Sequence, residues 1–156
     1  MNKRFFAILF LFAIAISSCD PNRIFEENQS VENNTWKYED VKTFSFDIQD
    51  TTSQVNIYVN LRTTTDYPYN NIYMYLYSEY PGGISLKDTL QFLLAEPDGK
   101  WLGENSGTVI EFKSLVSSGG QFTRSGTYTF RLQQAMEEND LTEIVDVGMR
   151  IEKMVD

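Results

Sequence analysis

One thiol stands where a lipid could be attached. Cys19 is the sole cysteine in 156 residues, and it follows Ile16-Ser17-Ser18. A diacylglycerol can alkylate such a thiol, after which a peptidase cuts before it, so the preceding positions must be small. Ser17 and Ser18 are small, and Ile16 supplies an aliphatic residue three places upstream, a pattern that resembles a bacterial lipobox. Lys3 and Arg4 precede twelve unbroken apolar residues, Phe5 to Ile16. As a helix that run would span about 18 Å, short of the roughly 30 Å hydrocarbon core of a bilayer. It therefore reads as a signal peptide. Residues 1–18 are expected to be removed, and Cys19 to carry palmitate-type acyl chains. Two or more such chains hold a protein on a membrane stably, whereas one is marginal.

The remaining side chains exclude more chemistry than they suggest. The chain has no histidine, which removes the Ser-His-Asp triad, the Cys-His pair and an imidazole proton shuttle. A zinc site lacks its ligands. With 22 acidic against 13 basic groups the formal charge is −9, which repels phosphate backbones, so nucleic acid is not an expected partner. Carboxylates are numerous, but none falls in a motif specifying a glycosidase pair. No glycine-rich phosphate loop, EF-hand loop or nucleophile elbow occurs. No cofactor, metal or enzymatic activity is expected.

Aromatic residues offer the candidate binding surface. Tyr73, Tyr75 and Tyr77 recur at every second position, which would suit a stacking platform for sugars or, preferred here, a cross-strand ladder stabilising a sheet. Two loops, Asp66-Tyr67-Pro68-Tyr69-Asn70-Asn71 and Glu96-Pro97-Asp98-Gly99-Lys100-Trp101-Leu102-Gly103, are rich in aromatic and turn residues. Loops on a rigid scaffold often carry recognition, so Tyr67, Tyr69 and Trp101 are the candidate partner-binding residues. The competing reading has Trp101 closing the open end of the core.

The elements that must position these residues are strands. Residues 20–40 are polar without a sustained period and read for the most part as a tether, with Ile24 and Phe25 able to pin its start onto the domain and Trp36 and Tyr38 assigned to the fold. From Val41 onward the period is two. Phe44, Phe46 and Ile48 alternate with polar residues, as do Val55 to Leu61, Ile72 to Leu76, Leu86 to Leu94, Val109 to Val116, Tyr128 to Leu132 and Val145 to Ile151. Gly119-Gly120 is expected to break the fifth run. Only Gln133 to Asn139 looks helical. About seven short strands with turn signals between them predict an all-β, single antiparallel β-sandwich over residues 41–156, with a half-open barrel second. Residues 1–18 are then the signal peptide, and 19–40 the lipidated cysteine and tether.

Several blocks, in order, resemble the gliding-motility lipoprotein family GldH of the Bacteroidetes. They are Ser18-Cys19-Asp20, Asn60-Leu61-Arg62, Asp66-Tyr67-Pro68-Tyr69-Asn70-Asn71-Ile72, Lys87-Asp88-Thr89-Leu90, Pro97-Asp98-Gly99-Lys100-Trp101-Leu102-Gly103, Ser125-Gly126-Thr127-Tyr128 with Gln134-Ala135-Met136, and Asp146-Val147-Gly148-Met149-Arg150-Ile151-Glu152. The resemblance implies a membrane-anchored, non-enzymatic accessory of the gliding apparatus, linked to type IX secretion. Its implied partners are other envelope proteins of that machinery, with no catalytic residues to carry over. The implied location is the cell envelope, the outer membrane in first place. The alternative is a carbohydrate-binding envelope lipoprotein using the tyrosine row and Trp101.

Overall fold

Alternating runs become strands here because each can bury one face while the other stays wet. The computed structural model describes residues 20–155; the expected signal peptide and Cys19 lie outside them. The strands are β1 (Arg23–Ser30), β2 (Thr35–Lys37), β3 (Lys42–Ile48), β4 (Gln54–Thr64), β5 (Asn71–Tyr80), β6 (Ile84–Leu93), β7 (Glu104–Ser106), β8 (Val109–Gln121), β9 (Gly126–Gln134), β10 (Asp140–Thr142) and β11 (Ile144–Lys153). Every pairing is antiparallel. One sheet runs β1-β11-β4-β8-β7 and the other β3-β9-β5-β6, with β2 and β10 as a small third pair. The expected all-β sandwich is what forms, with eleven strands among the described residues in place of seven.

The two large sheets share one core. Val59, Leu61, Val147, Met149 and Ile151 from the first meet Phe44, Phe46, Ile72, Met74, Phe130 and Leu132 from the second, all buried. Phe46 is the hub. Its ring lies 5.1 Å from Phe25 across the sheets, 5.2 Å from Phe130 and 5.9 Å from Phe122, within the range where offset aromatic pairs attract.

Three expectations need correction. Residues 19–40 are not a tether over most of their length, because Arg23–Ser30 pairs along β11 from Glu152 to Asp146. Beyond it, Trp36 belongs to the fold as expected, fully buried opposite Leu141 in the β2–β10 pair. The Gln133–Asn139 segment is not helical. Gln133 and Gln134 complete β9 and are buried, and the Gln134 amide donates to the Glu138 carbonyl at 2.7 Å while accepting from the Met136 N–H at 2.8 Å. That side chain satisfies a tight turn where helical hydrogen bonds were expected. Finally, β8 continues through Gly119-Gly120, because Asn56 Oδ1 accepts from the Gly119 N–H at 3.1 Å where the register slips.

The registers define two ends. At one, which we call the base, lie Asp20, the turns 49–53 and 81–83, the loop 122–125 and the chain's last described residues. At the far end lie residues 31–41, 65–70, 94–108 and 135–143. The 11 residues of β4 run between the ends, a span of about 35 Å.

Candidate functional site

The Asx turn at Asp20 starts the fold. Its Oδ1 accepts from the Asn22 N–H at 3.0 Å and its backbone carbonyl from the Arg23 N–H at 3.2 Å. Its other carboxylate oxygen pairs with Arg150. Arg150 in turn donates from Nη1 to Glu26 at 2.8 Å and from Nε to Glu152 at 2.7 Å. One guanidinium thus clasps Asp20, strand β1 and its own strand β11. The same outer face of the five-stranded sheet holds Lys113, 3.1 Å from Glu152 and 4.1 Å over the Tyr58 ring, and Arg62, whose Nε donates to Asp146 at 2.6 Å.

This face was not singled out as a site in the sequence. Its signal lay in the polar partners of the alternation: Asn60 and Arg62 in β4, Asp146, Gly148, Arg150 and Glu152 in β11. Gly148 has a specific role. A Cβ there would lie 1.8 Å from Asn28 Oδ1 and 2.5 Å from the Glu27 carbonyl. Its bare backbone lets Asn28 reach across β11 and accept from Asn60 Nδ2 at 3.2 Å. A groove of about 990 Å³ follows this face, but its central charges are already paired with one another. The carboxyls reflect that pairing. Asp20 is held below the usual carboxylate range by the Asn22 N–H and by Arg150, against some desolvation. Glu26 and Glu152 are also lowered: burial opposes ionisation there, and the hydrogen bonds from Arg23, Arg150 and Lys113 outweigh it. The arrangement builds a clasp for the N-terminal strand.

All three candidate aromatics lie at the far end. Tyr67 is buried, 4% exposed, and its hydroxyl donates to the Asn71 carbonyl at 3.1 Å. Burial pushes the phenol pKa up. It supports the loop from beneath and presents almost no surface. Tyr69 packs edge-on against it at 5.7 Å and stays half-exposed. Its hydroxyl donates to the Glu138 carboxylate, which raises the phenol pKa. Trp101 is half-buried, its ring edge-on to Phe112 at 6.3 Å. A tight hairpin holds it, with Glu96 N–H donating to the Lys100 carbonyl at 2.8 Å and Leu102 N–H to the Leu94 carbonyl at 2.9 Å. Trp101 therefore both covers the core and shows an edge to solvent.

Charge separates the ends in a way composition alone could not reveal. The far-end segments hold eleven carboxylates and two lysines. At the base, Asp20 and Asp50 sit beside Arg23, Arg124 and Lys153, with Lys153 Nζ 2.8 Å from Asp50. The tyrosine row is on the outer face of the four-stranded sheet. Lys87 Nζ lies 3.8 Å over the Tyr75 ring, the Arg131 guanidinium 5.7 Å from the Tyr77 ring, and the Tyr77 hydroxyl donates to Gln133 at 2.9 Å.

Comparison with known proteins places this geometry among relatives. The family model described as GldH lipoprotein matches residues 23–151. The chain is 34% identical over 161 aligned residues to the "Gliding motility lipoprotein GldH homolog" of Christiangramia forsetii, covering 98% of each chain. It is 36% identical over 153 residues to the "Gliding motility lipoprotein GldH" of Flavobacterium johnsoniae, covering 94% of each. Among solved structures, the infectious bursal disease virus VP2 subviral particle overlays 87% of this chain and 34% of its own, at a TM-score of 0.39 and 11% identity, too slight a likeness to bear on function.

Proposed function

The chain belongs to the GldH lipoprotein family, and on that premise we propose that it is a non-enzymatic docking module of the gliding machinery, anchored by lipid on Cys19. As a lipoprotein of this family it is a membrane-anchored protein of the cell envelope. We assign it to the outer membrane, and its partners to the envelope proteins that link gliding with type IX secretion. The observation that carries the reading is the match to gliding-motility lipoproteins along nearly the whole chain.

The local chemistry is in keeping with a non-catalytic role. The carboxyls clustered around Arg150 are pushed down, the opposite of what a general acid near neutral pH requires. The half-exposed Tyr69 and Trp101, at the end remote from the anchor, are the contacts we assign to partners; Tyr67 holds the Tyr69 loop in place. A glycan platform on the tyrosine row draws little support, because cations already cover the rings of Tyr75 and Tyr77.

Two experiments test this reading. Cys19→Ala should abolish labelling by palmitate and cleavage before residue 19; unchanged labelling would refute the anchor. Deleting the gene should abolish spreading or the secretion of surface adhesins. Loss of growth on one polysaccharide, with spreading and secretion intact, would instead establish the carbohydrate-binding alternative.

A further inference from the structure

Resting on the reading of Cys19 as the lipidated residue, we propose that the base of the sandwich sits directly on the bilayer. The domain then stands upright on a lipid surface and does not swing on a tether. The first ground is the lack of slack. Asp20 is fixed to the fold by Arg150, by the Asn22 N–H and through its carbonyl, and Lys153 N–H donates to the Asn22 carbonyl at 2.7 Å. Consecutive Cα atoms are about 3.8 Å apart, so the acyl-bearing residue is one peptide unit from a docked one. The lipid cannot enter the membrane without bringing the base to the headgroups.

The second ground is what the base shows to solvent. Ile84 and Leu86, at the start of β6, are 52% and 51% exposed, and Met154 and Val155, just after β11, are 45% and 67% exposed. These four large apolar side chains lie on opposite sides of the same end. Arg23, Arg124 and Lys153 lie at that end, the first paired with Glu26 and the last with Asp50, and cations there meet phosphate headgroups favourably. An interfacial surface buries its apolar side chains about 5–10 Å into the headgroup boundary, a depth that two residues of strand, about 7 Å, supply at Ile84 to Leu86. The eleven far-end carboxylates stand about 35 Å away, several Debye lengths at physiological salt, and are not repelled by the membrane.

The test uses the full-length acylated protein in vesicles of phosphatidylethanolamine and phosphatidylglycerol. The sulfur of Cys19 is consumed by lipid, so single thiols introduced as Leu86→Cys, Val155→Cys or Asp98→Cys accept a fluorophore uniquely, all at exposed positions. Labels at 86 and 155 should be quenched several-fold more by doxyl lipids than the label at 98, and less by aqueous iodide. Equal quenching at the three positions, with the mass of the N-terminal peptide confirming acylated Cys19, would overturn the seating and leave the anchor standing. Labels at 86 and 155 shielded from iodide yet unquenched by doxyl lipid would identify a second copy of the chain as the occupant, and overturn it as well. An unacylated Cys19 would overturn both.

Discussion

Arg150 shows how a single side chain can decide whether an N-terminal segment is part of a fold. It satisfies three carboxylates at once, and each of them is held below its ordinary pKa or paired elsewhere on the same face. A depressed folded-state pKa contributes stability that is fully present above the unfolded value, near 4, and is lost as pH falls through the depressed one. Amide protection in residues 23–30, taken relative to the intrinsic exchange rate at each pH, should therefore be constant from pH 8 to 5 and fall below about 4. Arg150, Lys113, Arg23 and Tyr58 are the groups facing these carboxylates. Arg150→Gln should bring fast exchange to neutral pH and cost about 1–2 kcal/mol, the open face keeping the loss below that of a buried pair; unchanged exchange would refute the clasp. Thr63 is the converse case. It is fully buried, and its Oγ1 has no hydrogen-bond partner among the described residues. Thr63→Val should raise stability by about 1 kcal/mol in denaturant titration. At this scale the sequence revealed what is chemically singular, Cys19 among small residues, and concealed what depends on register. Nothing in Asp20, Glu26, Arg150 and Glu152 as letters indicates that they meet.

The strands that were legible bury one complete face. Phe44, Phe46 and Ile48 are buried and their neighbours exposed, so the alternation survives in the letters. Strand β1 escaped because it is an edge. Only Ile24 and Phe25 contribute apolar packing, while Gln29, on Phe25's face, is used to donate to the Thr43 carbonyl at 2.8 Å. Its place depends on Gly148 next door, and Gly148→Ala should force Asn28 and the Glu27 carbonyl away. The expected cost is roughly 1–3 kcal/mol, with loss of protection confined first to β1; a neutral substitution would show that Asn28 does not cross the strand. The expected helix at Gln133 failed for a similar reason, since polar residues there are buried and committed to a turn. At the opposite corner, β6 is an edge of ten residues carrying Ile84, Leu86 and Leu93 exposed. Lys87 and Asp88 interrupt it at mid-strand, a charged guard against edge-to-edge pairing. Asp88→Val should promote concentration-dependent association in light scattering without lowering the melting temperature.

As a whole molecule the sandwich is polarised. Asp20, the apolar residues Met154 and Val155 and the cations Arg23, Arg124 and Lys153 share one end. The excess carboxylates, Tyr69 and Trp101 share the other. A lipid anchor confines such a module to the membrane plane and raises its effective concentration near membrane-bound partners; a docked base would also fix which end they meet. The central claim is that partners of the gliding machinery engage the far end. Photo-crosslinking residues incorporated in living cells at Asp98, Trp101 or Leu86 test it most directly. Probes at 98 and 101 should capture identified envelope proteins of the gliding and secretion apparatus, and the probe at 86 should not. Capture of those proteins only from position 86, or from none of the three while the protein still supports gliding, would contradict the account.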